Sequence, residues 1–272
     1  MNSKQKILYI SQEITPYLPE SAMALSCNQI PTKVQEHGYE ARAFMPKYGS
    51  INERRNQLHE VIRLSGLNLV IDDTDHPVVI KVATLQPAKM QVYFIDSDDY
   101  FRNHTSDRLE TVTSPADNDE RIIFFVRGVM ETVKKLRWEP AVIHASGWMS
   151  ALAPLYLKRA FADDPTIGGA PIVYSLFSDG FDGTLDARFV EKLKLDKFAD
   201  EELAALGDGD VDIQALNRLA IAHADAVIQA SEDASAELLS YAESLGKRVL
   251  PWNGGEPSVE DIVELYGSLK QE

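Results

Sequence analysis

Cys27 is the only cysteine in 272 residues, so no disulfide can form within the chain, and a reducing, cytoplasmic setting is expected. Positive charge is scarce: 27 lysines and arginines face 42 aspartates and glutamates, for a formal net charge of −15. Such a surface repels phosphate backbones and anionic lipid, which argues against nucleic-acid or membrane binding. Long apolar runs are missing too. Lys4 and Lys6 precede ILYIS, but the run breaks at Ser11-Gln12-Glu13, too short for a signal-peptide core, and nothing later approaches the length of a membrane span. The six histidines are scattered, with no H-E-x-x-H and no Cys–His pairing, so no zinc site is expected. No glycine lies in the loop after the first strand, which removes a dinucleotide fingerprint. Neither a cofactor nor a metal is expected.

What is present is ordinary globular material, 44% hydrophobic and 25% charged, long enough to bury a full core. Lys6 to Ser11 reads as a buried strand, followed by a polar loop and a helix near Ser21 to His37. Gly38 ends that helix, and Glu40 to Met45 forms the next strand, stopped by Pro46. Short β-like runs follow at Leu58 to Leu64, Leu67 to Ile71, Val78 to Val82 and Val92 to Ile95. Asp119 to Leu136 is the clearest helix, apolar at helical spacing, acidic at its start and basic at its end. Beyond it strands at Val142-Ile143, Ile172 to Leu176, Ala226 to Ile228 and Arg248 to Leu250 alternate with helical stretches. These are the Trp148 helix, an acidic stretch from Leu185 to Leu206, a helix to His223, one near Ala234 to Leu245 and a last one from Pro257. The alternation predicts parallel strands with right-handed crossovers: one doubly wound, Rossmann-like α/β domain over residues 1–272 with an antiparallel insertion.

The most informative segment is AVIHASGWMSALAPLYLK, starting at Ala141. A β-branched run enters a tight Ser146-Gly147 turn, and an apolar-faced helix leaves it. Ligands of doubly wound proteins bind at such crossings, outside the carboxyl ends of the strands. The segment resembles the glycogen and starch synthase pattern H-A-H-D-W-H-x-A-L-A-P-x-Y-L-K, with Ser146 and Gly147 in place of the inner His-Asp and Met149 in place of the final His. Other fragments follow in order. Glu13 with Pro16-Tyr17-Leu18 is similar to E-x-x-P-x-x, and His37 to Arg42 with Met45 to Tyr48 is similar to G-H-x-V-R-V-x-x-P-x-Y. Val92 to Asp96 is similar to V-Y-L-I-D, Asp117 to Phe125 to D-N-x-x-R-F-x-x-F, and Ala222 to Val227 to x-x-A-D-x-V. The resemblance implies the acceptor-side half of a two-domain glycosyltransferase of the GT-B type.

The departures fall where that family does chemistry. Its K-x-G-G-L loop corresponds to Pro19, Glu20, Ser21, Ala22 and Met23, and its T-I-H-N to Ser175, Leu176, Phe177 and Ser178. Phosphate binding wants a cation and free backbone N–H groups; proline has none, and Glu20 has the wrong sign. After Trp252-Asn253-Gly254-Gly255 only one short helix follows, so no counterpart of the family's nucleotide-binding domain is expected.

Several sharper motifs fail on spacing. Ser146-Gly147 lacks the flanking glycines of G-x-S-x-G, and the loop with Asp179, Asp182 and Asp186 lacks the terminal glutamate of an EF-hand. Asp96, Asp98 and Asp99 read as a strand-end turn. His144 reads as a satisfied core histidine, and the apolar neighbours Leu152 and Leu155 favour a core position for Trp148 over a sugar-stacking one. The candidate substrate-binding residues are Glu13, Tyr17, Ser146, Trp148, Ser178 and Asp179, all at expected carboxyl ends of strands; no catalytic residue is assigned. The leading expectation is a glycogen-metabolism homologue without stand-alone transfer from ADP-glucose, which binds α-glucan or maltooligosaccharide or partners a complete synthase. One alternative is the acceptor-side half of an active transferase completed by a second-domain chain. Another is a structural or regulatory protein with no glucan contact.

Overall fold

A computed structural model describes residues 4–102 and 116–269. Ten strands form one mixed sheet: β1 (Lys6–Ser11), β2 (Glu40–Pro46), β3 (His59–Glu60), β4 (Leu67–Ile71), β5 (Thr74–Leu85), β6 (Met90–Asp96), β7 (Val142–Ser146), β8 (Ile172–Leu176), β9 (Ala226–Gln229) and β10 (Arg248–Leu250). Their order is β10-β9-β8-β7-β1-β2-β6-β5-β3, with β4 paired to β5. The seven strands from β10 to β6 are parallel, and β5 turns the sheet antiparallel. The expected doubly wound α/β architecture is therefore the observed one. Strands β1, β7 and β8 are buried almost throughout, as strands covered on both faces must be.

The helices follow from their ends. Helix α1 (Ala22–Glu36) starts where Ser21 Oγ accepts the Ala24 amide at 2.9 Å. Helix α2 (Asn118–Leu136) carries Asp119 and Glu120 in its first turn and Lys134 and Lys135 in its last, each favoured by the helix dipole. Short helices α3 (Ala153–Lys158), α4 (Phe189–Leu195) and α5 (Asp200–Leu203) precede α6 (Ile213–His223), α7 (Ala236–Ser244) and α8 (Val259–Ser268). Helices α2, α3 and α6 pack in sequence on one face, and α1 packs with α8 on the other. That division is forced by chain direction. From β1 the sheet grows through α1 toward β2 and β6; from β6 the chain crosses back over α2 to β7, on the far side of β1. Right-handed crossovers running in opposite directions put their helices on opposite faces, which makes the carboxyl ends of β1 and β7 the switch point at which doubly wound folds form their ligand crevice.

Three local expectations need correction. Leu58 to Leu64 yields only the two-residue β3, because Leu64 and Ser65 bond back to Val61 and close a turn, which Gly66 (φ +77°) then leaves in a conformation suited to glycine. Val78 to Val82 extends to the whole of β5, since antiparallel pairing with β4 and β6 tolerates its alternating polar residues. The stretch from Leu185 to Leu206 breaks into α4, α5 and a 3₁₀ turn, with Lys197 at φ +69° ending the first.

Candidate functional site

Each of the three apolar strands around the crevice carries a serine at or near its end. Ser11 on β1 stands in register with Ser146 on β7, and Ser146 with Ser175 on β8. All three are buried, and they share a face because strand side chains alternate. Cys27 of α1 lies beside Ser11 and Ser146, and burial pushes its thiol up to about 12. Below this row His144 bridges two elements: Nδ1 is 2.6 Å from the Tyr266 hydroxyl of α8, and Nε2 is 2.6 Å from Ser175 Oγ. Tyr266 in turn lies 3.2 Å from the Tyr9 hydroxyl. Burial pushes the His144 pKa down to about 3, so the ring is neutral and structural.

Above the serine row the chain turns sharply. Gly147 adopts φ +82° and ψ 164°, a backbone region reserved in practice for glycine. A Cβ there would stand 2.9 Å from Met23 Sδ and 3.1 Å from Gln12 Oε1. After Gly147 come a single 3₁₀ turn (Trp148–Ser150) and α3, in place of one continuous helix. The Trp148 amide donates to Asp179 Oδ2 at 3.0 Å, and the Met149 amide to Gln12 Oε1 at 3.3 Å. Gln12 Nε2 also reaches Glu13 Oε1 at 3.3 Å, and Ser21 Oγ donates to Glu13 Oε2 at 2.6 Å.

Four of the candidate residues thus meet: Glu13, Ser146, Trp148 and Asp179. Asp179 is partly exposed, yet its carboxyl group is densely surrounded; desolvation, reinforced by the nearby charge of Glu13, pushes its pKa up to about 7. The Trp148 indole is wholly buried, edge-on to Phe181 at 5.2 Å between ring centroids, so it shapes the floor and offers no open face to a sugar. Tyr17 turns away, edge-on to Phe94 of β6, and its burial raises its hydroxyl to about 12. Ser178 is exposed at the rim, with its amide on Ser231 Oγ at 2.8 Å. Sequence reasoning passed over Ser11, Gln12, Ser21 and Ser175. The endings ILYIS, VIHAS and IVYS carried a usable signal, a hydroxyl closing each central strand.

The model of the starch synthase catalytic domain matches residues 6–249. The chain belongs to that family. The glycogen synthase of Chlorobium luteolum is 36% identical over 189 residues, covering 69% of this chain and 39% of that protein. The glycogen synthase of Chlorobium phaeovibrioides is 33% identical over 261 residues, covering 92% and 52% respectively. The chain therefore spans about half the length of these family members or less. Among solved structures, the catalytic domain of starch synthase IV from Arabidopsis thaliana, bound to ADP and acarbose, superposes with a TM-score of 0.72 at 16% identity, over 92% of this chain and 51% of that one. Helix α8 lies outside the residues matched by the family model, yet Tyr266 anchors it in the same buried hydrogen-bond chain as β1 and β7. Among the described residues no helix is long and apolar enough to cross a membrane.

Proposed function

We propose that this chain is a glycogen synthase-like domain that holds α-glucan at the β1–β7 crevice and does not transfer glucose from ADP-glucose by itself. The observation that carries the reading is the set of polar groups gathered there. They are carboxylates, hydroxyls and a side-chain amide: Glu13, Asp179, Ser21, Ser146 and Gln12. Glycosyl transfer from a sugar nucleotide develops negative charge on the departing diphosphate and is helped by cations and free N–H groups. Sugar hydroxyls need acceptors and donors of the kind present here. Incubation with labelled ADP-glucose and glycogen is expected to leave the glycogen unlabelled, while calorimetry with maltoheptaose gives saturable heat. Clear incorporation of label by the chain alone would sink the proposal. Glu13→Gln and Ser178→Ala suit the binding test better than Trp148→Ala, because removing a buried indole costs about 3–5 kcal/mol of packing.

A second reading follows from the family shown above, whose starch synthase catalytic domain matches residues 6–249. In it this chain is the acceptor-side half of a transferase whose nucleotide half is a separate chain. Incorporation that appears only when a second chain is added would favour it.

A further inference from the structure

A cavity of about 460 Å³ opens between α2, the end of α3 and the end of α4, and none of the crevice residues lines it. Its size is that of a small-molecule site. Arg127, Glu131 and Lys134 face it from successive turns of α2, at the i, i+4 and i+7 spacing that puts side chains on one side of a helix. Most of the charge there is already paired within the chain. Asp196 accepts from Arg127 Nη1, with Oδ1 at 3.0 Å, and from the Tyr156 hydroxyl. Lys134 Nζ stands 3.4 Å from Glu131, 3.5 Å from Asp164 and 5.0 Å from the centre of the Phe161 ring. Burial nonetheless holds the Asp196 carboxyl above its ordinary pKa, the mark of a titratable group walled from water beside a cleft.

What those pairs leave over defines the occupant. Among the described residues, the side chains of Lys197 and Asp163, both on the cavity wall, have no partner, and Arg127 Nε and Nη2 donate to nothing. Leu195, between them in the lining, is 54% exposed, an uncovered apolar wall. The cavity thus offers spare donors on positive groups, one spare carboxylate and apolar surface. A simple anion would meet four carboxylates here, Glu131, Asp163, Asp164 and Asp196, as like charges. A simple cation would leave the guanidinium and ammonium donors unanswered, since these groups only donate. A molecule carrying both signs on an apolar body answers all three. We propose that this cavity is a second binding site, for a small zwitterion with the chemistry of a free amino acid or short apolar peptide. Its carboxylate bonds Lys197 and Arg127, its ammonium bonds Asp163, and its apolar part covers Leu195. The site stands independently of the reading of the crevice as a glucan site.

Methyl NMR of the full chain, labelled at alanine and leucine, tests it with leucine and leucyl-leucine as probes. Two blocked peptides serve as controls: N-acetyl-leucyl-leucine lacks the ammonium, and leucyl-leucine amide lacks the carboxylate. The zwitterions are expected to shift the methyls of Leu195 and Ala160, both in the cavity lining, in a saturable way. Tighter binding of the dipeptide assigns the site to peptides, and tighter binding of leucine to free amino acids. Blocking either end of the dipeptide is expected to weaken it at least fivefold. Lys197→Asn is expected to weaken leucyl-leucine at least threefold and leave the amide form unchanged; Asp163→Asn does the same for leucyl-leucine and spares the acetylated form. Asparagine suits the left-handed backbone at Lys197 (φ +69°), and neither side chain holds a partner among the described residues, so both variants keep the local bonds. If a variant does not fold, the blocked peptides decide. Absence of saturable shifts at Leu195 with both zwitterions overturns the proposal. So does equal binding of free and blocked peptides, or zwitterion binding unchanged in both folded variants.

Discussion

Replacing Gly147 by alanine probes the elbow most directly, because two costs of different origin meet there. At φ +82° and ψ 164° a non-glycine residue is strained by about 1–3 kcal/mol. The new Cβ also falls 2.9 Å from Met23 Sδ, 3.0 Å from Met23 Cε and 3.1 Å from Gln12 Oε1. The methionine end is flexible and can swing aside cheaply. Gln12 cannot move as freely, since it holds both the Met149 amide and Glu13; losing one such bond costs about 0.5–1.5 kcal/mol. Gly147→Ala is therefore expected to destabilise the chain by about 2–4 kcal/mol in urea unfolding. At about 2–4 °C per kcal/mol for a domain near this size, Tm falls by about 4–16 °C. A double-mutant cycle with Met23→Ala separates the two costs. If backbone strain dominates, the coupling energy stays below about 1 kcal/mol; if the overlap with Met23 dominates, it approaches the whole effect. A Gly147→Ala protein within about 0.5 kcal/mol of the native chain would refute the reasoning.

Asp179→Asn is expected to gain stability relative to the native chain as pH rises from 4.5 to 8. The folded pKa of Asp179, about 7, lies above its ordinary value, so the native fold loses stability as that carboxyl ionises through pH 4 to 7 and the variant does not; urea unfolding at the two pH values checks the sign. Tyr266→Phe leaves His144 Nδ1 and the Tyr9 hydroxyl without their buried partner and is expected to cost about 1–3 kcal/mol, read from the urea midpoint; an unchanged midpoint would show that the chain of bonds contributes nothing. Cys27 is expected to resist aromatic disulfide reagents at pH 8 until denaturant is added, since its thiol is both buried and pushed up to about 12; fast labelling of the folded protein would contradict this.

Several strands were legible because they are short, β-branched and bounded by polar turns. KILYIS, LNLVI and IVYSL begin and end in the structure where their composition places them. The helix from Asp119 was legible for the reason α2 is stable, an apolar stripe with charges matched to the dipole. Leu58 to Leu64 misled because apolar content was read as a strand; Ile62 in fact points to solvent, 83% exposed, while the backbone around it closes a turn. The site was legible only by position. Chain order places Glu13, Ser146, Trp148 and Asp179 after β1, β7 and β8, and the crossover rule gathers those ends. Nothing in the residue letters says that Tyr17 packs on Phe94, or that Gln12 is the hinge of the polar network. Those facts depend on distances between side chains far apart in sequence.

The altered chemistry at the elbow is held in the backbone as well as in the side chains. The family pattern has an aspartate where Gly147 stands, and an aspartate carries a Cβ that this conformation does not accommodate. Changing Gly147 back would therefore strain the turn and press on Met23, and the Trp148 amide would still belong to Asp179. Freeing that amide requires moving the loop after β8, whose own start is fixed by the Ser178 amide on Ser231. Each departure stabilises the next, so single reversions are expected to cost stability before they return any binding group. The strands beneath are indifferent to all of this. Ile7 to Ile10, Val142, Ile143 and Ile172 to Leu176 are held by burial on both faces of the sheet, and their register depends on none of the loop side chains. That separation is the physical reason the family fold can persist here while the side chains at the carboxyl ends of its strands differ from the family pattern.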